Sequence, residues 1–205
     1  MFEFEYGLKD GFLNDGNVVI FPTDTVYGLA CRLYDNEAIK RIYELKERSK
    51  TKHLAVLCDS LISVNDIAVI DERVMKLAYA FWPGALTLIL PSTMNHYKKT
   101  GEKTVGVRIP NHESALWLIK KNGPLLTTSV NKSGDAPLND IESIKKHFGD
   151  KVDYIYEEYN AFYLNVSSTT IDLTGKEVKF LRIGTITDEQ INVVLKKNID
   201  DIYKE

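Results

Sequence analysis

The chain is poor in the residues that announce covalent or metal chemistry. Cysteine occurs only twice in 205 residues, at Cys31 and Cys58, far apart and in apolar surroundings. So few thiols exclude a disulfide framework, and no CxxC or paired Cys/His spacing offers a zinc site, so buried, reduced thiols are expected. The histidines, His53, His96, His112 and His147, are scattered, and each reads as a surface residue rather than a base or a metal ligand. No apolar run approaches the length of a bilayer span, and the opening Met1-Phe2-Glu3-Phe4-Glu5-Tyr6 is acidic without a signal core. A cytoplasmic location is therefore expected. Neither sign of charge prevails: 26 Lys and Arg against 29 Asp and Glu give a net charge of −3. Any surface for nucleic acid or phosphate must then be a local patch. Phosphate loops are missing as well. No GxxxxGK[ST] is present, Gly175-Lys176 lacking both the upstream glycine and the following hydroxyl, and no GxGxxG follows a strand. GxSxG and HExxH are also absent. A nucleotide would have to be held by side-chain cations, hydroxyls and a metal, and catalysis would rest on positioning and electrostatics.

What is present is organised around Phe21-Pro22-Thr23-Asp24-Thr25-Val26-Tyr27-Gly28-Leu29-Ala30. The apolar run Val18–Phe21 reads as a short buried strand, and Pro22 stops its pairing because it has no N–H to donate. Hydroxyls, a carboxylate and a phenol then crowd into a few residues before Gly28. That arrangement suits the floor of a polar ligand site, and equally a Thr/Asp-capped turn into a helix. A hydroxyl-rich strand end recurs at Leu125-Leu126-Thr127-Thr128-Ser129-Val130-Asn131, and again at Ser167-Ser168-Thr169-Thr170-Ile171-Asp172.

At this length, one domain over 1–205 is expected, with a core adequate without staples. Leu8, Phe12 and Leu13 are spaced for one helix face, stopped at Gly16. A helix from Asn36 carries Ala38, Ile39, Ile42, Tyr43 and Leu45, and its end runs into Lys46-Glu47-Arg48-Ser49-Lys50-Thr51-Lys52-His53. That many cations exceed what a helix C-terminus needs, and they point to an anion site before the strand Leu54–Leu57. Further helices are expected around Val74–Phe81, Ala115–Ile119 and Ile141–Phe148, and further strands at Leu86–Leu90, Thr104–Ile109, Val152–Tyr156 and Val178–Ile183. Ser92–Lys103 reads as a polar loop, either a lid or simply solvated. Gly106 and Arg108 within a strand imply close approach to the backbone and a buried anion partner. Thr187 with Gln190 forms a capping box for a helix over about 188–198. Alternating strands and helices make the class α/β with some antiparallel pairing, the strand order being open.

Several of these segments, taken together, resemble the YrdC-type threonylcarbamoyl-adenylate synthase family. PTDTVYGL resembles its opening motif, Ile42-Tyr43-Glu44-Leu45-Lys46-Glu47-Arg48 its I-Y-x-x-K-x-R signature, and Trp82–Leu88 its WPGPLTL segment. Val105–Pro110 resembles its VGVRxP strand and Thr128–Gly134 its S-A-N-x-S-G turn, while Ser168–Asp172 and Leu181–Gly184 match the closing motifs in order. The matches cover about residues 15–186. The resemblance implies a YrdC-like fold, a twisted mixed sheet flanked by helices with a concave basic cleft, in the short single-domain form. It also implies a nucleotidyltransferase that makes threonylcarbamoyl-AMP and pyrophosphate from L-threonine, bicarbonate and ATP, with Mg²⁺ accompanying ATP. This is the first step of tRNA threonylcarbamoyladenosine formation, the product passing to a transfer complex, with possible tRNA contact and no membrane.

By the same resemblance, Thr25, Arg108, Thr127 and Ser168 would hold threonine, Arg108 pairing with its carboxylate as guanidinium geometry favours. Lys46, Arg48, Lys52, Thr104, Ser129, Asn131, Pro137 and Arg182 would hold ATP, with Lys46 and Arg48 stabilising charge in the reaction. No resident metal ligand is identified. Ser49 and His53 depart from the family's prolines, Ala85 and Val130 are mild replacements, and Leu57 stands where some members carry histidine. The competing readings are a non-catalytic RNA- or tRNA-binding module on the same cleft, whose affinity would fall steeply with salt, and the related hydrogenase-maturation carbamoyltransferases, which this chain's length fits poorly.

Overall fold

The computed structural model describes residues 11–49, 51–158 and 166–199. The apolar run at the start becomes strand β1 (Val19–Phe21), which folds back antiparallel onto β2 (Gly28–Arg32) with Phe21 opposite Gly28. The Thr/Asp turn thus joins two strands instead of opening a helix. Helix α1 (Asn36–Leu45) follows, its N-terminus capped by the Asp35 carboxylate accepting from the Ala38 amide. Next come β3 (Ala55–Leu57), α2 (Leu61–Ile67), α3 (Glu72–Phe81), β4 (Leu86–Pro91) and α4 (Met94–Thr100). They are followed by β5 (Thr104–Arg108), α5 (Glu113–Asn122), β6 (Leu125–Ser129), α6 (Ile141–Phe148) and β7 (Tyr154–Ile155). Strands β8 (Thr169–Asp172) and β9 (Lys179–Arg182) lead to α7 (Asp188–Lys196), which opens on the expected capping box between Thr187 and Gln190.

The strands form one nine-stranded mixed sheet in the order β7-β1-β2-β6-β3-β5-β4-β8-β9. Pairs β1·β7, β3·β5 and β4·β8 are parallel and the rest antiparallel. Both faces are covered, which is why the strands read as continuous apolar runs. Val18, Ile20, Leu29 and Cys31 pack on one face under α1 and α6, while Val19, Phe21 and Ala30 pack on the other against α5. The far half of the sheet, with Leu86, Leu88, Val105 and Val107, packs against α2, α3 and α7.

Two expectations are corrected. Residues 11–17 are not helical: Gly11 sits at φ 71, outside the helical region, while Leu13 is buried and Phe12 exposed. Leu8 lies outside the described residues. The polar stretch 92–103 contains helix α4, capped by Thr93 and ended by Gly101 in the left-handed conformation. Helix α2, only seven residues long, carries no expectation above; its signal was Ser60 followed by Leu61, Val64 and Ile67.

Candidate active site

The hydroxyl-bearing strand ends converge on a cleft of about 390 Å³. The β1–β2 turn contributes Thr23 and Thr25, β4 Thr87, β5 Arg108, β6 Thr127, Thr128 and Ser129, and the α1–β3 connection Arg48 and His53. Ser167, Ser168 and Thr170 from the β8 region and Arg182 from β9 complete its polar wall. The convergence follows from the topology: β2, β6, β3, β5, β4 and β8 are consecutive neighbours in the sheet, so their hydroxyls and arginines meet across one surface. Gly28 is required by the same closeness, since a Cβ there would lie 2.9 Å from the Thr127 methyl. At Gly106, which lines the cleft beside Ile89, a Cβ would come within 3.0 Å of the Ile89 side chain.

At one end, Arg108 is almost fully buried, with Nε donating to the Gly84 carbonyl at 2.9 Å and Nη1 to the Thr25 hydroxyl at 2.8 Å. Nη2 forms an ion pair with the Asp24 carboxylate. Burial pushes the Arg108 pKa down and Asp24 pushes it back up. A guanidinium has five N–H donors, so three such bonds leave one on each terminal nitrogen for a ligand. The Thr25 hydroxyl is itself held by Thr23, 3.1 Å away, whose own hydroxyl donates to the Val26 carbonyl at 2.6 Å. Across the cleft, Ser168 Oγ lies 2.7 Å from Thr87 Oγ1, and Arg182 donates to the Ser168 carbonyl at 2.9 Å and to its hydroxyl at 3.2 Å.

The other end is built by Lys46 and Arg48. Arg48 is oriented by the Lys52 and His53 carbonyls, each 3.0 Å from a guanidinium nitrogen. Lys46 is 1% exposed, and its Nζ donates to Ser129 O at 2.5 Å, Asn131 O at 2.8 Å and Asn131 Oδ1 at 2.8 Å. Burial, aided by Arg48, pushes its pKa down to about 8.

Of the residues proposed for the site from sequence, Thr25, Arg48, Arg108, Thr127, Ser129, Ser168 and Arg182 line the cleft. Lys46, Lys52, Thr104, Asn131 and Pro137 do not. Lys46 and Asn131 are buried behind the lining, and Lys52 is exposed. Sequence reasoning passed over Thr87 and Thr170, whose only signal was their place in motifs already noted, and set aside His53, which lines the cleft. The tie of Asp24 to Arg108 spans 84 residues and has no local signal in the sequence. Cys31 and Cys58 are buried thiols raised to about 12, in keeping with an inert, reduced pair.

A mixed, doubly covered sheet with a hydroxyl- and arginine-lined cleft places the protein among the α/β proteins. The chain belongs to the Sua5/YciO/YrdC family, whose model, described as telomere recombination, matches residues 11–184. It is 36% identical over 197 residues to a threonylcarbamoyl-AMP synthase of Pyrococcus abyssi, covering 94% of this chain and 58% of that protein. It is 34% identical to the threonylcarbamoyl-AMP synthase of Bacillus subtilis, covering 89% of this chain and 54% of the relative. The crystal structure of P. abyssi Sua5 complexed with L-threonine superposes with a TM-score of 0.84 at 37% identity, over 91% of this chain and 56% of that one. The chain thus spans a little over half the length of these relatives.

Proposed function

We propose that the cleft condenses L-threonine, bicarbonate and ATP to threonylcarbamoyl-AMP, releasing pyrophosphate and water. The observation that carries this reading is the Arg108–Thr25 pair: a buried, pre-oriented guanidinium that keeps donors for a carboxylate, beside a fixed hydroxyl. The names of the relatives and the threonine in P. abyssi Sua5 support it. Thr127 and Ser168 would complete the amino-acid end, while Arg48, Ser129 and Arg182 would face the nucleotide. Lys52, Thr104 and Pro137 do not line the cleft and would require the bound nucleotide to extend to them.

The chemistry needs no protein nucleophile. The threonine amine captures CO2 or bicarbonate, and an oxygen of the resulting carbamate attacks the α-phosphorus of ATP as the bond to pyrophosphate breaks. Charge grows on the phosphoryl oxygens and the leaving group, and fixed guanidinium groups stabilise both. Mg²⁺ would enter with ATP as part of the substrate. The cleft lining contains no carboxylate, and the described residues hold no cluster of three metal-ligating side chains, so the phosphates would supply the metal's anionic ligands. The product's destination would be a tRNA threonylcarbamoyl-transfer complex. A cytoplasmic setting is part of the same reading; among the described residues no helix is long and apolar enough to cross a membrane.

The test is pyrophosphate release from Mg-ATP and bicarbonate, with and without L-threonine, and with serine as control. Threonine-dependent release is the expected result. Absence of release from folded protein with any amino acid would overturn the reading and favour the RNA-binding alternative, which a salt titration with tRNA would then decide.

A further inference from the structure

We propose that Lys46 is a positioning residue: its ammonium builds the Ser129–Asn131 wall of the cleft from behind and does not touch the nucleotide. The inference rests on the nucleotide reading of that end of the cleft. An ammonium has three protons to donate and no acceptor capacity. All three are matched, by Ser129 O, Asn131 O and Asn131 Oδ1 at 2.5–2.8 Å. The main chain of the same residue grips the next turn, the Lys46 carbonyl accepting from the Ser133 amide at 2.8 Å. Asn131 spreads the constraint further. Its Oδ1 also accepts from the Ser129 hydroxyl at 2.6 Å, and its Nδ2 donates to the Asp135 carbonyl at 2.7 Å. The Ser129 proton is thereby directed inward, so this cleft-lining hydroxyl presents its lone pairs outward as an acceptor.

Burial separates this lysine from its neighbour in the motif. Arg48 lines the cleft, whereas Lys46 is absent from the lining and 1% exposed. A direct phosphate ligand would need to give up at least one of three short bonds. Nor does a carboxylate cancel its charge: Glu47, next in sequence, pairs with Lys132 at 2.5 Å, and every acceptor on Lys46 is neutral. The charge therefore remains to bias the nucleotide end of the cleft without contact. Two neighbouring residues of one motif thus divide the work, one facing the ligand and the other holding the wall.

The test is lysine labelling with an acylating reagent on the wild-type protein, with and without Mg-ATP, read by mass spectrometry. A lysine whose proton is held loosely labels fast when the reagent reaches it, so silence at Lys46 reports its enclosure. The expected result is labelling of Lys46 at least about ten-fold slower than exposed Lys52 in ligand-free protein, unchanged by Mg-ATP. Labelling at the rate of Lys52, suppressed by Mg-ATP, would overturn the proposal and make Lys46 a direct ligand. The Lys46→Met variant supplies the kinetic readout. Its KM for ATP should rise about ten-fold or more while its KM for threonine moves less than about three-fold, a split that general loss of fold would not produce. Equal change in both constants in folded protein, or in neither, would also overturn it. If the variant does not fold, the wild-type labelling decides alone. Should pyrophosphate release fail while Lys46 stays silent, it is the functional reading that falls, and the placement of Lys46 stands.

Discussion

Two buried cations, at opposite ends of one cleft, meet the cost of leaving water in different ways. Arg108 is sheathed by a carboxylate, a hydroxyl and a carbonyl, so its charge is locally cancelled and what remains is a fork of fixed geometry. Lys46 is sheathed by two carbonyls and an amide oxygen, so its hydrogen bonds are satisfied while its charge is not. A compensated guanidinium recognises shape, as a single small carboxylate requires. An uncompensated ammonium lends field, as a polyphosphate requires.

The sharpest way to break this comparison is at the amino-acid end. Arg108→Ala removes the fork and strands Asp24, and truncating one partner of a buried charge pair costs about 2–5 kcal/mol. We expect kcat/KM for threonine to fall by about a thousand-fold with the fold retained by circular dichroism. Wild-type turnover would refute the role. Asp24→Asn tests the compensation itself: stability in urea should drop by about 2 kcal/mol and KM for threonine rise about ten-fold, with KM for ATP unmoved. If denaturation and both constants match wild type, Asp24 does not set Arg108. At the nucleotide end, Arg48→Ala should raise KM for ATP by about ten- to a hundred-fold and leave threonine within about two-fold, as steady-state kinetics would show.

A pH comparison separates the ends further. Because the Lys46 pKa falls from 10.5 to about 8 on folding, the unfolded chain binds more protons between those values. Stability from this group therefore rises with pH across that window, by about 1 kcal/mol between pH 7 and 9. Subtracting urea melts of Lys46→Met from wild type isolates the effect, and a flat difference would mean the ammonium is not buried as described. The smallest effect belongs at the rim, where His53 pairs with Glu102 at 3.0 Å with a side chain 58% exposed. His53→Ala should change stability by less than about 1 kcal/mol, a bound that thermal melts would check.

Much of this was legible in the residues. Strand β1 and the turn that ends it, α1 from Asn36, the α7 capping box and Arg108 as a buried cation seeking an anion all rest on local patterns of apolarity, hydroxyls and caps. Local pattern failed where the deciding contact was distant. Leu13 looks like one face of a helix, but Gly11 at positive φ and the packing of Leu13 against the sheet go with irregular chain. The basic stretch 46–53 reads as a uniform anion patch, yet the fold buries Lys46, turns Arg48 inward and leaves Lys52 in solvent.

By itself the sequence determined the α/β class, the positions of most helices and strands, and most of the hydroxyls and cations from which the site is made. It did so because periodicity, capping and turn chemistry act within a few residues. The tertiary structure alone decided the strand order, which arginine a carboxylate neutralises, and which basic side chain faces the cleft or braces it. Those outcomes depend on contacts spanning 83 to 85 residues, between Thr25 or Asp24 and Arg108 and between Lys46 and Ser129 or Asn131. Only folding brings such groups within hydrogen-bond distance.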